Sequence, residues 1–146
     1  MHRTIRPLAK LIALLPVALL GACGSGDGEP DAMTATVPPG HEYVVGFGET
    51  INVSGLLLEF TTLAEESRCP ASAICVWEGN ARILVTATRG RSTTVLELNS
   101  NPRFPTRAVF EGYVIELRSV DPYPATPSLP RAQDYTVTLY VDVASP

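Results

Sequence analysis

Cys69 and Cys75 lie six positions apart, and Trp77, the only tryptophan, follows two residues later. Two thiols at that separation can close a short loop as a disulfide. Chain entropy alone makes such a bridge worth roughly 2.4 kcal/mol, less any strain. Pro70 stiffens the start of the loop, and Gly79-Asn80 is expected to turn the chain into the next strand. Two roles fit this stretch. In the structural one, the bridge pins a connection and Trp77 packs on it or into the core, its indole N–H on a carbonyl. In the functional one, Glu66, Arg68, Pro70, Trp77 and Glu78 form a rigid recognition surface. Trp and Arg are common interface anchors, and a rigid loop loses little entropy on binding. The two roles overlap, because a stapled loop can also be the site.

Catalytic chemistry has little to work with here. His41 is the only histidine after residue 2, and Lys10 is the only lysine. A multi-histidine metal site, a Schiff-base lysine and a glycine-rich phosphate loop leading into a helix are therefore not expected. A Ser-His-Asp triad would have to use His41. A carboxylate pair of the glycosidase kind remains, with Glu59, Glu65, Glu66 and Glu78 as candidates. Four glutamates on a β-rich surface are more often solvated charges. Calcium on Glu65, Glu66 and Glu78 lacks the Asp-rich loop spacing that would support it. No catalytic residue, cofactor or metal is thus expected.

The run Ser67-Arg68-Cys69-Pro70, four residues, then Cys75-Val76-Trp77-Glu78-Gly79 resembles the S-R-C-P-x4-C-x-W-x-G motif of an uncharacterised family of small bacterial secreted proteins and lipoproteins. The likeness is close over residues 65–85 and loose over 43–143. Glu66 before the motif, the Gly112-Tyr113 strand and the Pro122-Tyr123-Pro124 run fit it too. The resemblance implies a bacterial exported protein and assigns no activity.

The N-terminus agrees with export. Arg3, Arg6 and Lys10 form a positive region before the apolar run Leu11 to Leu20. That run is too short to span a bilayer permanently. It ends Leu20-Gly21-Ala22-Cys23, which resembles the lipobox of bacterial lipoproteins, with Cys23 as the acylated residue. The cysteine count supports this: one lipidated thiol and one disulfide use all three. An ordinary secretory signal would leave an odd thiol in an oxidising compartment. Residues 1–22 are thus read as a lipoprotein signal and residues 23–40, rich in Gly, Ser and Pro, as a lipidated tether. Gly24 rather than aspartate after Cys23 points to the outer membrane in a Gram-negative cell. Removing Arg3, Arg6 and Lys10 leaves eight arginines against fifteen acids, a side-chain charge of −7. That balance argues against a nucleic-acid partner.

Residues 41–146 read as one all-β domain. Alternation runs through Tyr43-Val45-Phe47, Leu56-Leu58-Phe60, Ala81-Ile83-Val85-Ala87, Thr94-Leu96-Leu98, Tyr113-Ile115-Leu117 and Tyr135-Val137-Leu139-Val141-Val143. Seven or eight short strands separated by turn signals predict an antiparallel β-sandwich of immunoglobulin-like architecture, with a small barrel as the alternative. The Cys69–Cys75 spacing is far too short for the inter-sheet bridge of antibody domains. The Pro-rich connection from Asp121 to Gln133 is either a stiff crossing loop or a semi-rigid surface around Tyr123.

These features favour an envelope-anchored, non-catalytic module that binds a protein or a glycan. An inhibitor of a secreted hydrolase, acting through the stapled loop, is the alternative, and a carboxylate-based hydrolase the third reading. The anchor is directly testable. The mature protein is expected to begin at an acylated Cys23 and to partition into detergent, and Cys23→Ser should abolish the partitioning. Mass spectrometry finding Cys23 unmodified would overturn the assignment.

Overall fold

A computed structural model describes residues 36–145. The signal segment, Cys23 and the tether up to residue 35 lie outside the described residues. Nine strands run in chain order: β1 Thr36–Val37, β2 His41–Gly46, β3 Thr50–Val53, β4 Leu56–Glu66, β5 Ala81–Arg89, β6 Ser92–Asn99, β7 Arg107–Phe110, β8 Tyr113–Asp121 and β9 Thr136–Val143. A 3-10 turn, Ala132–Asp134, is the one helical element among the described residues. β1 falls inside the stretch read as tether. It pairs in parallel with β3, Thr36 opposite Asn52 and Val37 opposite Val53, so the fold begins before His41.

The strands build a β-sandwich, as the alternation predicts. One sheet has the order β1-β3-β4-β5-β6 and the other β2-β9-β8-β7. Neither sheet closes on itself, so no barrel forms. The two-layer architecture is the one immunoglobulin domains use, but the strands are threaded more simply. β3 to β6 and β7 to β9 are consecutive meanders, and β2 joins the second sheet beside β9. One parity of each strand is buried between the layers. Leu56, Leu58, Phe60, Ile83, Val85 and Leu98 come from one sheet, and Val45, Ile115, Val137, Leu139 and Val141 from the other.

Two strands break the alternation. β4 carries irregularities between Phe60 and Thr62 and between Leu63 and Glu65. The first shifts the phase so that Leu63, opposite Ile83, takes the inward position in place of Thr62. The second restores it, so that Glu66 lies opposite the buried Ala81. Each bulge adds one unpaired residue, which is how a strand turns a chosen side chain inward. β8 is similarly shifted between Leu117 and Ser119, which buries Val120.

The two ends of the sandwich differ. At one end three hairpins turn in two residues each: Ser54-Gly55, Gly90-Arg91 and Glu111-Gly112. Ser54 at φ 49° and Gly55 at φ 88°, like Glu111 at 48° and Gly112 at 79°, have the paired positive φ of type I′ turns. The long connections, 67–80, 100–106 and 122–135, all leave from the opposite end. Phe60 anchors the core between these ends, fully buried and edge-on to Phe47 with centroids 5.4 Å apart. Phe60→Ala should cost ~3–5 kcal/mol in urea unfolding. A loss below ~1 kcal/mol would contradict that packing.

Candidate functional site

The stapled stretch prolongs the β4–β5 hairpin past the sheet. The Ser67 N–H donates to the Asn80 carbonyl at 2.8 Å, and the Cys69 N–H to the Glu78 carbonyl at 2.9 Å. Between these bonds the two arms nearly touch at Gly79. A Cβ on Gly79 would lie 1.8 Å from the Ser67 carbonyl oxygen, and its φ is +74°. Gly79 is therefore required by close approach as well as by conformation. Beyond it Cys69 and Cys75 are disulfide-bonded with Cα atoms 5.9 Å apart. The bridge holds residues 70–74 as a closed tip.

Glu66 and Arg68 do not lie on the exposed surface expected for them. The inward phase of β4 carries both into the sandwich, and their side chains are only 3% and 7% exposed. Arg68 Nε donates to Glu66 Oε1 at 2.9 Å and Oε2 at 3.1 Å. Its Nη1 donates to the Val120 carbonyl at 2.5 Å and its Nη2 to the Pro122 carbonyl at 3.1 Å. The Tyr123 ring stacks on the same guanidinium, 4.9 Å from its centroid. This pair is a clamp between the end of β4 and the end of β8. The Tyr135 hydroxyl is buried without a hydrogen-bond partner among the described residues. Burial, with the Glu66 carboxylate close by, pushes it above its ordinary value of 10.0.

Three buried asparagines tie the second loop to the first. Asn80 Nδ2 donates to Asn99 Oδ1 at 2.9 Å, and Asn101 Nδ2 to the Gly79 carbonyl at 2.8 Å. Asn80 Oδ1 accepts the Asn101 N–H at 3.2 Å, and Asn99 Nδ2 donates to the Pro105 carbonyl at 3.1 Å. In sequence, residues 99–106 carry Pro102 and Pro105 and read only as turn-rich. The missed signal was asparagine on both sides of the β5–β6 hairpin's open end, Asn80 before β5 and Asn99 and Asn101 after β6, where orphan backbone groups need partners. The Pro-rich connection closes the other flank. The Ala71 and Ser72 N–H groups donate to the carbonyls of Pro124 and Ala125 at 2.9 and 3.2 Å. The Tyr123 hydroxyl donates to the Cys69 carbonyl at 2.9 Å.

Some of the predicted surface residues do reach solvent. Trp77 does not enter the core; it is 43% exposed. Glu78 is exposed and Pro70 half-buried. Ile74 and Val76, not singled out from the sequence, project fully, at 104% and 107% of their free exposure. Two clefts flank the tip. One, of about 350 Å³, is lined by residues that include Arg68, Glu78, Asn101, Arg118, Asp121 and Tyr123. The other, of about 410 Å³, is lined by Val76, Trp77, Glu78, Asn101, Pro102 and Arg103. Of the four glutamates considered for hydrolysis, Glu78 alone lines either of these two clefts. Glu66 is held by Arg68, Glu65 accepts the Ser67 hydroxyl at 2.7 Å, and Glu59 sits in the ladder opposite Thr86. No three of them group as metal ligands among the described residues. No family model, curated protein or solved structure matches the chain.

The clamp makes a sharp prediction. Arg68→Ala should destabilise the domain by ~3–5 kcal/mol, because Glu66 is left as an uncompensated buried charge. The double replacement Glu66→Leu, Arg68→Met should recover much of that loss. Chemical denaturation of the three proteins checks both, and an Arg68→Ala midpoint equal to that of the parent would refute the clamp.

Proposed function

We propose that this protein is a non-catalytic binding module of the bacterial envelope that docks a protein partner through the tip of its stapled loop. The observation that carries the reading is the full exposure of Ile74 and Val76 beside the half-exposed Trp77. Scattered single apolar residues on a surface need no explanation, but contiguous ones point to an interaction site. Ile74 lies inside the loop closed by the Cys69–Cys75 bridge and Val76 and Trp77 directly after it, on a stretch hydrogen-bonded to its neighbours. A loop already fixed loses little entropy on docking, so burial of its side chains goes largely into affinity.

The location follows from the sequence. The lipobox-like Leu20-Gly21-Ala22-Cys23 supports a lipid anchor at Cys23, with the membrane as the second partner and the outer membrane as its place in a Gram-negative cell. Acylation by two or more chains anchors stably where one would not. The likeness of residues 65–85 to small bacterial secreted proteins and lipoproteins supports the same compartment. One version of this reading is narrower: inhibition of a secreted hydrolase, with the tip inserted in the enzyme's cleft. The full exposure of Ile74 and Val76 on a stapled stretch favours it, since a cleft is entered by a rigid loop with free side chains.

The test is a comparative capture from envelope extract. Wild-type protein and an Ile74→Asp, Val76→Asp variant are used as bait. Both sites are fully exposed, so the variant should melt within about a degree or two of the parent, surface changes staying near ±0.5 kcal/mol. A partner held by the parent and lost by the variant is the expected result. Equal capture by both proteins would remove the tip as the docking surface.

A further inference from the structure

The two clefts are neighbours: Glu78 and Asn101 line both. We propose that they form a single groove that binds a polyhydroxylated ligand, a segment of linear neutral glycan. This goes beyond docking at the tip: of the docking side chains, Val76 and Trp77 also line one end of the groove, and Ile74 lines neither cleft.

The ligand class follows from the charges left unused. The side chains of Glu78 and Arg103 have no ion pair among the described residues. Asp121 accepts the Ser119 hydroxyl at 2.7 Å and is otherwise exposed. Arg118 is engaged with Glu116 at 2.7 Å, Glu42 at 3.4 Å and the Tyr140 ring, yet keeps 41% of its side chain in solvent. An anion in this groove would meet Glu78 and Asp121, and a cation would meet Arg103 and Arg118. A hydroxyl group both donates and accepts, so a row of hydroxyls can pair with carboxylates and guanidiniums alike.

The apolar lining fits the same chemistry. Tyr123 lines one cleft and Trp77 the other, and they are 51% and 43% exposed. One face of Tyr123 is taken by the Arg68 guanidinium and its hydroxyl by the Cys69 carbonyl, which fixes the ring and leaves its other face to the cleft. That suits a sugar ring, which carries C–H groups on its faces and hydroxyls on its rim. Each cleft falls near the lower end of the ~300–1,000 Å³ range of small-ligand sites. Their walls are held by the asparagine bonds and by the clamp on Arg68, so little ordering is required on binding.

Trp77 is the only tryptophan, so its emission reports on the groove without a label. The detergent-solubilised full-length protein is titrated with cellohexaose, chitohexaose, maltohexaose and laminarihexaose at up to millimolar concentration. A saturable shift with at least one of them is expected. Glu78→Gln and Asp121→Asn, both at exposed side chains, should each raise its Kd roughly tenfold with the melting temperature unchanged. Ile74→Asp should leave the titration as it is, which separates failure of the groove from failure of the tip. No saturable shift with any of the four sugars overturns the proposal, as does unaltered affinity in both groove variants. Saturation by a proline-rich peptide and by none of the sugars also overturns it and assigns the groove to peptide.

Discussion

The loop end of this sandwich depends on one buried ion pair, Glu66 with Arg68. Taking two charges out of water is unfavourable, and apolar residues of equal volume would often stabilise a core as well or better. What apolar residues cannot do is bond to backbone. The Arg68 fork reaches the carbonyls of Val120 and Pro122, at the point where β8 ends and the Pro-rich connection begins. Carbonyls at such a point have left or are leaving the ladder, and buried backbone groups need partners. Arg68 thus ties the end of β4 to two carbonyls 52 and 54 positions later in the sequence and gives them a charged donor. Glu66 is what allows a guanidinium to be there at all.

The rest of the end is arranged around that clamp. The disulfide closes only the tip and does not reach the other sheet. The asparagines bind the 100–106 loop to Gly79 and Asn80, and the Tyr123 hydroxyl binds the Pro-rich loop to Cys69. These bonds fix each loop to its neighbour, while the Arg68 fork fixes the group across the two layers. Loops held by a rigid scaffold are where binding residues concentrate. The opposite end, with its three two-residue turns, offers no such surface.

The strands were legible because alternation is a direct consequence of a two-faced sheet. Leu56-Leu58-Phe60 and Tyr135-Val137-Leu139-Val141 are buried as their pattern requires. The bulges were not legible, since each adds one residue that looks like any other and changes the phase beyond it. The site residues were misplaced for a related reason. Charged residues near a loop are exposed by default and tryptophan is buried by default, and here Arg68 and Trp77 exchange those roles. One clue was available. Glu66 and Arg68 stand two apart at a strand end, so they share a face and can pair. β1 was hidden by length, because two residues, Thr36–Val37, carry no period.

The hydrogen bonds of the tip also decide how it can be recognised. The N–H groups of Cys69, Ala71, Ser72 and Ala73 are all given to carbonyls of the chain itself. A partner strand adding to this loop would need those groups free, since strand addition draws its affinity from main-chain bonds. Along Cys69–Ala73 the tip is therefore closed to that mode. What it presents is side chains: Ile74 and Val76 at the apex, with Trp77 and Glu78 turning toward the groove. Recognition has to be by shape and apolar contact at the apex and by side-chain hydrogen bonding beneath it. The same internal bonding that makes the loop a poor strand makes it a stiff one. A stiff loop is the form in which a few exposed side chains lose least on binding.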